Sequence, residues 1–217
     1  MKKNVGLMVG LCELLIFNKL KGAIMKDFRK QITGCDCVPT SFINALVYLF
    51  DKREDIPNEI VQGIYLKTIN DSDGTSGQEI ENLCHWLSNY NKNRCKNKVF
   101  SIKAICKNGE DVDFDKLKTH VRKTNACALL SVKADKNTRH YITIFHYEKG
   151  YFYCYDSYYV KGRKDDRKGK ELWSLGTFEE CNLRISIDYL KKIENKYKYQ
   201  SGETDDRQCV LIKRIVK

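Results

Sequence analysis

The sequence predicts an α+β fold, with N-terminal helices packed on a C-terminal antiparallel sheet. Apolar residues recur at helical spacing through the first half of the chain. Short β-branched and aromatic runs dominate the second half, and a three-residue loop folds two of them into a hairpin. At 217 residues and 42% hydrophobic composition, the chain is long enough to bury a full core. Its only two prolines, Pro39 and Pro57, leave no Pro-rich linker.

Pro39 stands where a first-turn proline belongs, and Phe42, Leu46, Leu49 and Phe50 follow on one helical face. A helix from about Val38 to Phe50 is expected, with Cys37 at its N-terminal end. Asp55 and Pro57 open a second helix that turns Ile60, Ile64 and Thr68 inward. A turn-rich loop spans Asn70 to Gly77. Ser76 with Glu79 three residues on is a capping box, and the helix behind it runs to about Asn89, burying Ile80, Leu83 and Leu87. A strand is expected at Val99–Cys106, then a short helix at Asp115–Lys123 through Leu117 and Val121. Ala126–Val132 is a nearly continuous apolar run, as in a strand buried on both faces. Tyr141–Tyr147 and Tyr151–Tyr155 are aromatic and β-branched. Between them Glu148-Lys149-Gly150 forms the hairpin loop, with Gly in the left-handed position. Lys161–Lys170 is a charged loop. Ser186 caps a helix through Leu190 and Ile193, and Arg207–Val216 is the last strand.

Residues 26–217 are read as one domain, preceded by an N-terminal helical extension at 1–25. The apolar run Val5–Phe17 after Lys2 and Lys3 imitates a signal peptide. Glu13 interrupts it, however, no small-x-small cleavage site follows, and it is short for a bilayer. Leu11 also occupies the place where a lipoprotein site ahead of Cys12 needs a small residue. A packed amphipathic helix and no stable membrane span are expected. Membrane association or export through residues 5–17 is the alternative. The ten cysteines are scattered, several within apolar runs, in a chain too long to need disulfide staples. They point to a reduced, cytoplasmic protein. The net charge of +11 is spread among acids, with no RNA-binding or zinc-finger pattern, so no nucleic-acid partner is expected.

One set of residues carries chemistry. Cys37 begins a helix, where the helix dipole and unpaired N–H groups favour a thiolate and can hold an oxyanion. Gln31, six positions earlier, offers a side-chain donor. Folding the hairpin places Tyr147 opposite Tyr151 and His140 opposite Tyr158, with Asp156 one diagonal step from His140. A bulge would shift this by about one residue. His140 and Asp156 thus meet at one end of adjacent strands, so Asp156 can orient an imidazole toward the thiol. Cys35 is the rival thiol, but it precedes the helix start. His146 is expected on the hairpin surface, and His85 and His120 facing solvent or a neighbouring side chain. A zinc site on Cys35, Cys37 and a histidine lacks a Cys-x-x-Cys pair.

These residues resemble the papain-like cysteine peptidases. They are most similar to the double-glycine leader peptidases of bacteriocin exporters and their stand-alone relatives, over about Lys26–Tyr159. The resemblance implies Cys37 as nucleophile, His140 as general base and acid, Asp156 as its orienter and Gln31 as oxyanion donor. It implies no metal or organic cofactor, and a peptide or protein substrate, a leader peptide being one candidate. Two positions depart from the family pattern: Val38 stands where glycine usually follows the nucleophile, and Ser157 where proline often follows the aspartate. No ABC-transporter segment follows before Lys217, which leaves the substrate open. The same triad would serve an acyltransferase, and a catalytically silent peptide-binding module is the non-enzymatic alternative.

Overall fold

The computed structural model describes residues 28–50, 55–69, 74–94, 100–135, 138–158, 181–193 and 198–216. The proposed extension at 1–25, the start of the 70–77 loop and the 161–170 loop lie outside them. Three helices come first: α1 (Cys37–Leu49), α2 (Asn58–Thr68) and α3 (Gly77–Arg94). Then follow β1 (Phe100–Asn108), α4 (Phe114–Val121), β2 (Ala126–Lys133), β3 (Arg139–Glu148), β4 (Tyr151–Tyr155), β5 (Leu183–Ser186), the short α5 (Ile187–Leu190) and β6 (Gln208–Val216). The six strands form one antiparallel sheet in the order β1-β6-β2-β3-β4-β5.

Helix boundaries follow local chemistry. Ser76 Oγ accepts from Glu79 N–H at 3.3 Å and Glu79 Oε2 accepts from Ser76 N–H at 2.7 Å, so the capping box opens α3 as expected. Asp113 caps α4 through the N–H groups of Asp115 and Lys116, and Ser186 caps α5 through Tyr189 N–H. That last helix stops at Leu190, and Ile193 is exposed instead of continuing the apolar face. Strand β5 was not anticipated: only four residues pair along β4, too few to print a period.

Two hydrophobic clusters bracket the sheet. Cys127 and Leu129 of β2 pack with Phe42, Leu46, Ile60, Ile64, Leu83 and Leu87 from α1, α2 and α3. The alternate residues Ala128, Leu130 and Val132 pack with Leu117, Val121 and Tyr189 from α4 and α5. Helices therefore cover both faces, which is why β2 is buried along its whole length.

The hairpin differs from expectation by one residue at its tip. Glu148 pairs with Tyr151, leaving a two-residue loop, Lys149-Gly150, at φ 48° and 89°. Two left-handed residues suit a type I′ turn, whose twist matches the strands, but a lysine there gives no sequence signal. A bulge between Ile144 and His146 then shifts the register back, so Thr143 pairs with Tyr155. Beyond it the two strands run in the register that the sequence implied.

Helix α1 is stitched to β3 by two buried hydroxyls. Ser41 Oγ donates to Tyr141 O at 3.0 Å, and Thr143 Oγ1 donates to Ser41 O at 3.2 Å. Cys37 lies one turn before Ser41 and His140 one residue before Tyr141, so this stitch sets thiol against imidazole.

Helices α2 and α3 meet at a glycine. A Cβ on Gly63 would run into the Trp86 ring, which also meets Tyr90 edge-on at 5.6 Å and carries Lys67 over its face. Gly63→Ala is expected to lose about 1–3 kcal/mol of stability through overpacking. A urea midpoint unchanged from the parent's would contradict that contact.

Candidate active site

The loop before α1 is shaped by Asp36. Its carboxylate turns back to accept from Ile32 N–H at 2.9 Å and Thr33 N–H at 3.0 Å, so it does not cap the helix. The first helical bond joins Thr40 N–H to Asp36 O. The N–H groups of Cys37 and Val38 fall before it, and Pro39 has none to offer. The helix thus begins with two amide donors beside the thiol, the arrangement that a developing oxyanion needs.

His140 and Asp156 meet as the hairpin register requires, with Nε2 to Oδ1 at 2.7 Å. Cys37 is near enough to influence the titration of the imidazole. Since Nε2 is taken by Asp156, Nδ1 is the nitrogen available to the sulfur. Both partners of the pair are buried. Burial opposes charge on His140, but the hydrogen bond to Asp156 and then the influence of Cys37 outweigh it and raise the pKa from 6.5 to about 9. Burial likewise pushes Asp156 up. The bond and charge of His140, then the bonds from Tyr199 and the Tyr158 N–H, prevail and hold it below its ordinary value.

Asp156 is fixed by residues that sequence reasoning missed. Tyr199 OH donates to Oδ2, and Tyr158 N–H donates to Oδ1 at 2.8 Å. Asn182 grips the Asp156 backbone from both ends, accepting its N–H at 2.8 Å and donating to its carbonyl at 2.7 Å. Tyr199 itself sits at φ 64°, a conformation costing of the order of 1 kcal/mol for a non-glycine residue. No local motif marks Tyr199 or Asn182, because both reach the site only through the long-range course of the chain.

Gln31 is delivered by a segment clamped along α1. Asn44, fully buried, accepts from Arg29 N–H at 2.8 Å and donates to Arg29 O at 2.9 Å. Phe28 stacks on Phe145 at 4.8 Å, and Gln31 N–H donates to Ser157 O at 3.2 Å. The Gln31 side chain accepts from Ser157 Oγ at 3.0 Å, while its Nε2 donates one hydrogen to Thr33 O at 2.9 Å. A second Nε2 hydrogen remains for another acceptor. Ser157, the departure from proline after the aspartate, thus acts as an anchor for Gln31.

The other candidates lie elsewhere. Cys35 is exposed in the loop. His85 is exposed and bonds to Asn89. His146 is half-buried near the hairpin tip, with burial lowering its pKa. His120 departs from expectation: its Nε2 lies 3.2 Å from Cys127 O and 3.0 Å from Ile212 O, so it bonds to backbone of β2 and β6 and carries its proton there. Among the described residues no cluster of three His, Cys, Asp or Glu side chains gathers to hold a metal, and no helix is long and apolar enough to cross a membrane.

No curated protein matches the sequence. The peptidase domain of Streptococcus ComA, a bi-functional ABC transporter involved in a quorum-sensing pathway, aligns with 87% of this chain and 97% of its own at 15% identity, with a TM-score of 0.43. The model of the Peptidase_C39-like family matches residues 26–181, a span that includes Gln31, Cys37, His140 and Asp156. Since that match covers well over half of the sequence, the chain belongs to the Peptidase_C39-like family, with a cysteine-peptidase type of function.

Proposed function

We propose that this chain is a cysteine peptidase that cleaves a peptide or amide bond through a thioester on Cys37. The observation that carries the reading is the buried His140–Asp156 pair, Nε2 to Oδ1 at 2.7 Å, at the end of the sheet where the helix headed by Cys37 is stitched to β3. With its pKa at about 9, His140 holds its proton at neutral pH and faces the sulfur as an imidazolium. Cys37 Sγ attacks the carbonyl carbon, and the carbonyl electrons move onto oxygen. The Cys37 N–H and the second Nε2 hydrogen of Gln31 hold that oxyanion. His140 passes its proton to the leaving amine as the C–N bond breaks. It then takes a proton from water, which adds to the thioester, and the acid leaves as the sulfur regains its place beside the imidazolium. Asp156 stays ionised throughout and keeps the ring aimed. The substrate class proposed is a peptide segment, without a metal or organic cofactor.

The first test is alkylation by iodoacetamide across pH, with the modified cysteine located by mass spectrometry. Selective reaction at Cys37 below pH 8, lost in His140→Ala, is expected. Labelling spread over several cysteines and indifferent to His140 would refute an assembled site. Gln31→Ala separates the roles. Peptide turnover should fall about 10²-fold or more, as for loss of an oxyanion donor. Alkylation of Cys37, a displacement at carbon that builds no oxyanion, should keep nearly the parent rate. An equal loss of both would mean that Gln31 only supports the loop.

A further inference from the structure

Where β2 ends and β3 begins lies a cluster of cations that, among the described residues, is loosely matched by negative charge. Lys133 ends β2, Arg139 opens β3, and the two are paired across the strands. Arg139 immediately precedes His140. Its Nε donates to Ser131 Oγ at 2.7 Å, and its Nη2 to Ser131 O at 3.1 Å and Ser201 O at 2.9 Å. The remaining nitrogen, Nη1, is buried and makes no hydrogen bond, and neither does the buried Ser201 Oγ. Lys133 is buried along its stem. Among the described residues, the carboxylate within ion-pair range of both cations belongs to Asp206. It stands 3.7 Å from Lys133 Nζ and 4.0 Å from Arg139 Nη1, too far for a hydrogen bond, and is half exposed. Arg207 adds a third positive charge to the field at Arg139.

A guanidinium with one nitrogen unused, next to a buried hydroxyl and an ammonium, is built to receive an oxyanion. The cluster is also close to the chemistry. It lies at the end of β3 where the His140–Asp156 pair forms. We propose that Lys133, Arg139 and Ser201 form a carboxylate-binding subsite beside the His140–Asp156 pair, which selects peptides presenting an acidic side chain or a free C-terminus near the scissile bond. The incoming carboxylate takes Arg139 Nη1, Lys133 Nζ and Ser201 Oγ, and displaces Asp206 toward solvent. This selectivity rests on the peptidase reading, but the subsite also predicts binding without turnover.

The probes are acetylated, amidated Ala-Gly octapeptides in which a single Glu occupies each position in turn, their Gln counterparts, and the Gln series with free C-termini. With the full chain, kcat/KM is expected to favour Glu over Gln at least tenfold at one fixed position relative to the cut. If only the free-acid peptides gain, the carboxylate is the chain end and the subsite stands. The Glu/Gln ratio should fall toward one in Arg139→Gln or Lys133→Gln and rise in Asp206→Asn, where the competing carboxylate is gone. A ratio is insensitive to a partly unfolded sample, and opposite signs for R139Q and D206N are not what a merely structural cluster would give. Equal cleavage of acidic, neutral and free-acid peptides would overturn the subsite and leave the peptidase reading intact. If nothing is cleaved, the same peptides are titrated calorimetrically onto Cys37→Ala protein. Tighter binding of one carboxylate peptide, lost in Arg139→Gln, upholds the subsite even as the peptidase reading fails, and indifference to the carboxylate overturns both.

Discussion

Cys37→Ala is expected to abolish peptide turnover, a loss of about 10⁴-fold or more, as when the nucleophile of a covalent mechanism is removed. The fold should survive it. The side chain is half-buried at a helix start, and α1 is held by Ser41, Thr143 and the core residues Phe42 and Leu46. His140 would respond instead. Its pKa of about 9 depends in part on Cys37, so the imidazole resonances of the variant should titrate at lower pH than the parent's. Hydrolysis followed by mass spectrometry, thermal melts and an NMR titration give three independent readings. Residual turnover within a factor of ten of the parent would remove Cys37 from the mechanism and turn attention to Cys35.

The second large effect is expected at Asp156→Asn. The amide cannot hold His140 as a charged partner, so turnover should fall about 10⁴-fold. The pH dependence of stability should change with it. His140 binds its proton more tightly in the folded chain than in the unfolded one, 6.5 rising to about 9. Its contribution, on the order of 3 kcal/mol, is therefore fully present below pH 6.5 and is lost as pH rises through 9. Asp156 is shifted the other way, so its contribution is present above its ordinary 3.8 and is lost as pH falls through its folded value. The parent should thus exceed Asp156→Asn most between about pH 4 and 6.5, with the gap narrowing toward pH 9. The variant also unbalances Tyr199 OH and Tyr158 N–H, which costs stability at every pH. Melting temperatures across pH 4–10 supply the check, and a parent–variant gap that widens above pH 8 would contradict the ion pair.

Much of this was legible because the signals are local. The Ser76–Glu79 box, the inward Ile60, Ile64 and Thr68, and the continuous apolar run of β2 each follow from residues within a few positions of one another. The pairing of His140 with Asp156 was legible for a related reason. A hairpin couples residues through a short loop, and even a wrong guess at the loop was offset by the bulge at Ile144–His146. Residues such as Tyr199, Asn182 and Asn44 were not, since the partners they serve lie 43, 26 and 15 positions away along the chain. Nor was the order of the strands, in which β6, the last made, sits between β1 and β2.

By itself, then, the sequence determined most of the helices and strands, though not β5, and also which thiol heads a helix and which histidine and aspartate share a hairpin. Periodicity, capping and turn chemistry act over a few residues and are written where they act. Only the tertiary structure decided that α1 is stitched to β3 through Ser41 and Thr143, that Tyr199 and Asn182 hold Asp156, and that Gln31 is anchored to Ser157 with one amide hydrogen already committed. It also decided that Lys133, Arg139 and Asp206 share one corner of the sheet. Those contacts join positions far apart in the chain, and their geometry is set by how two buried faces pack on one sheet, a quantity that no short stretch of sequence contains.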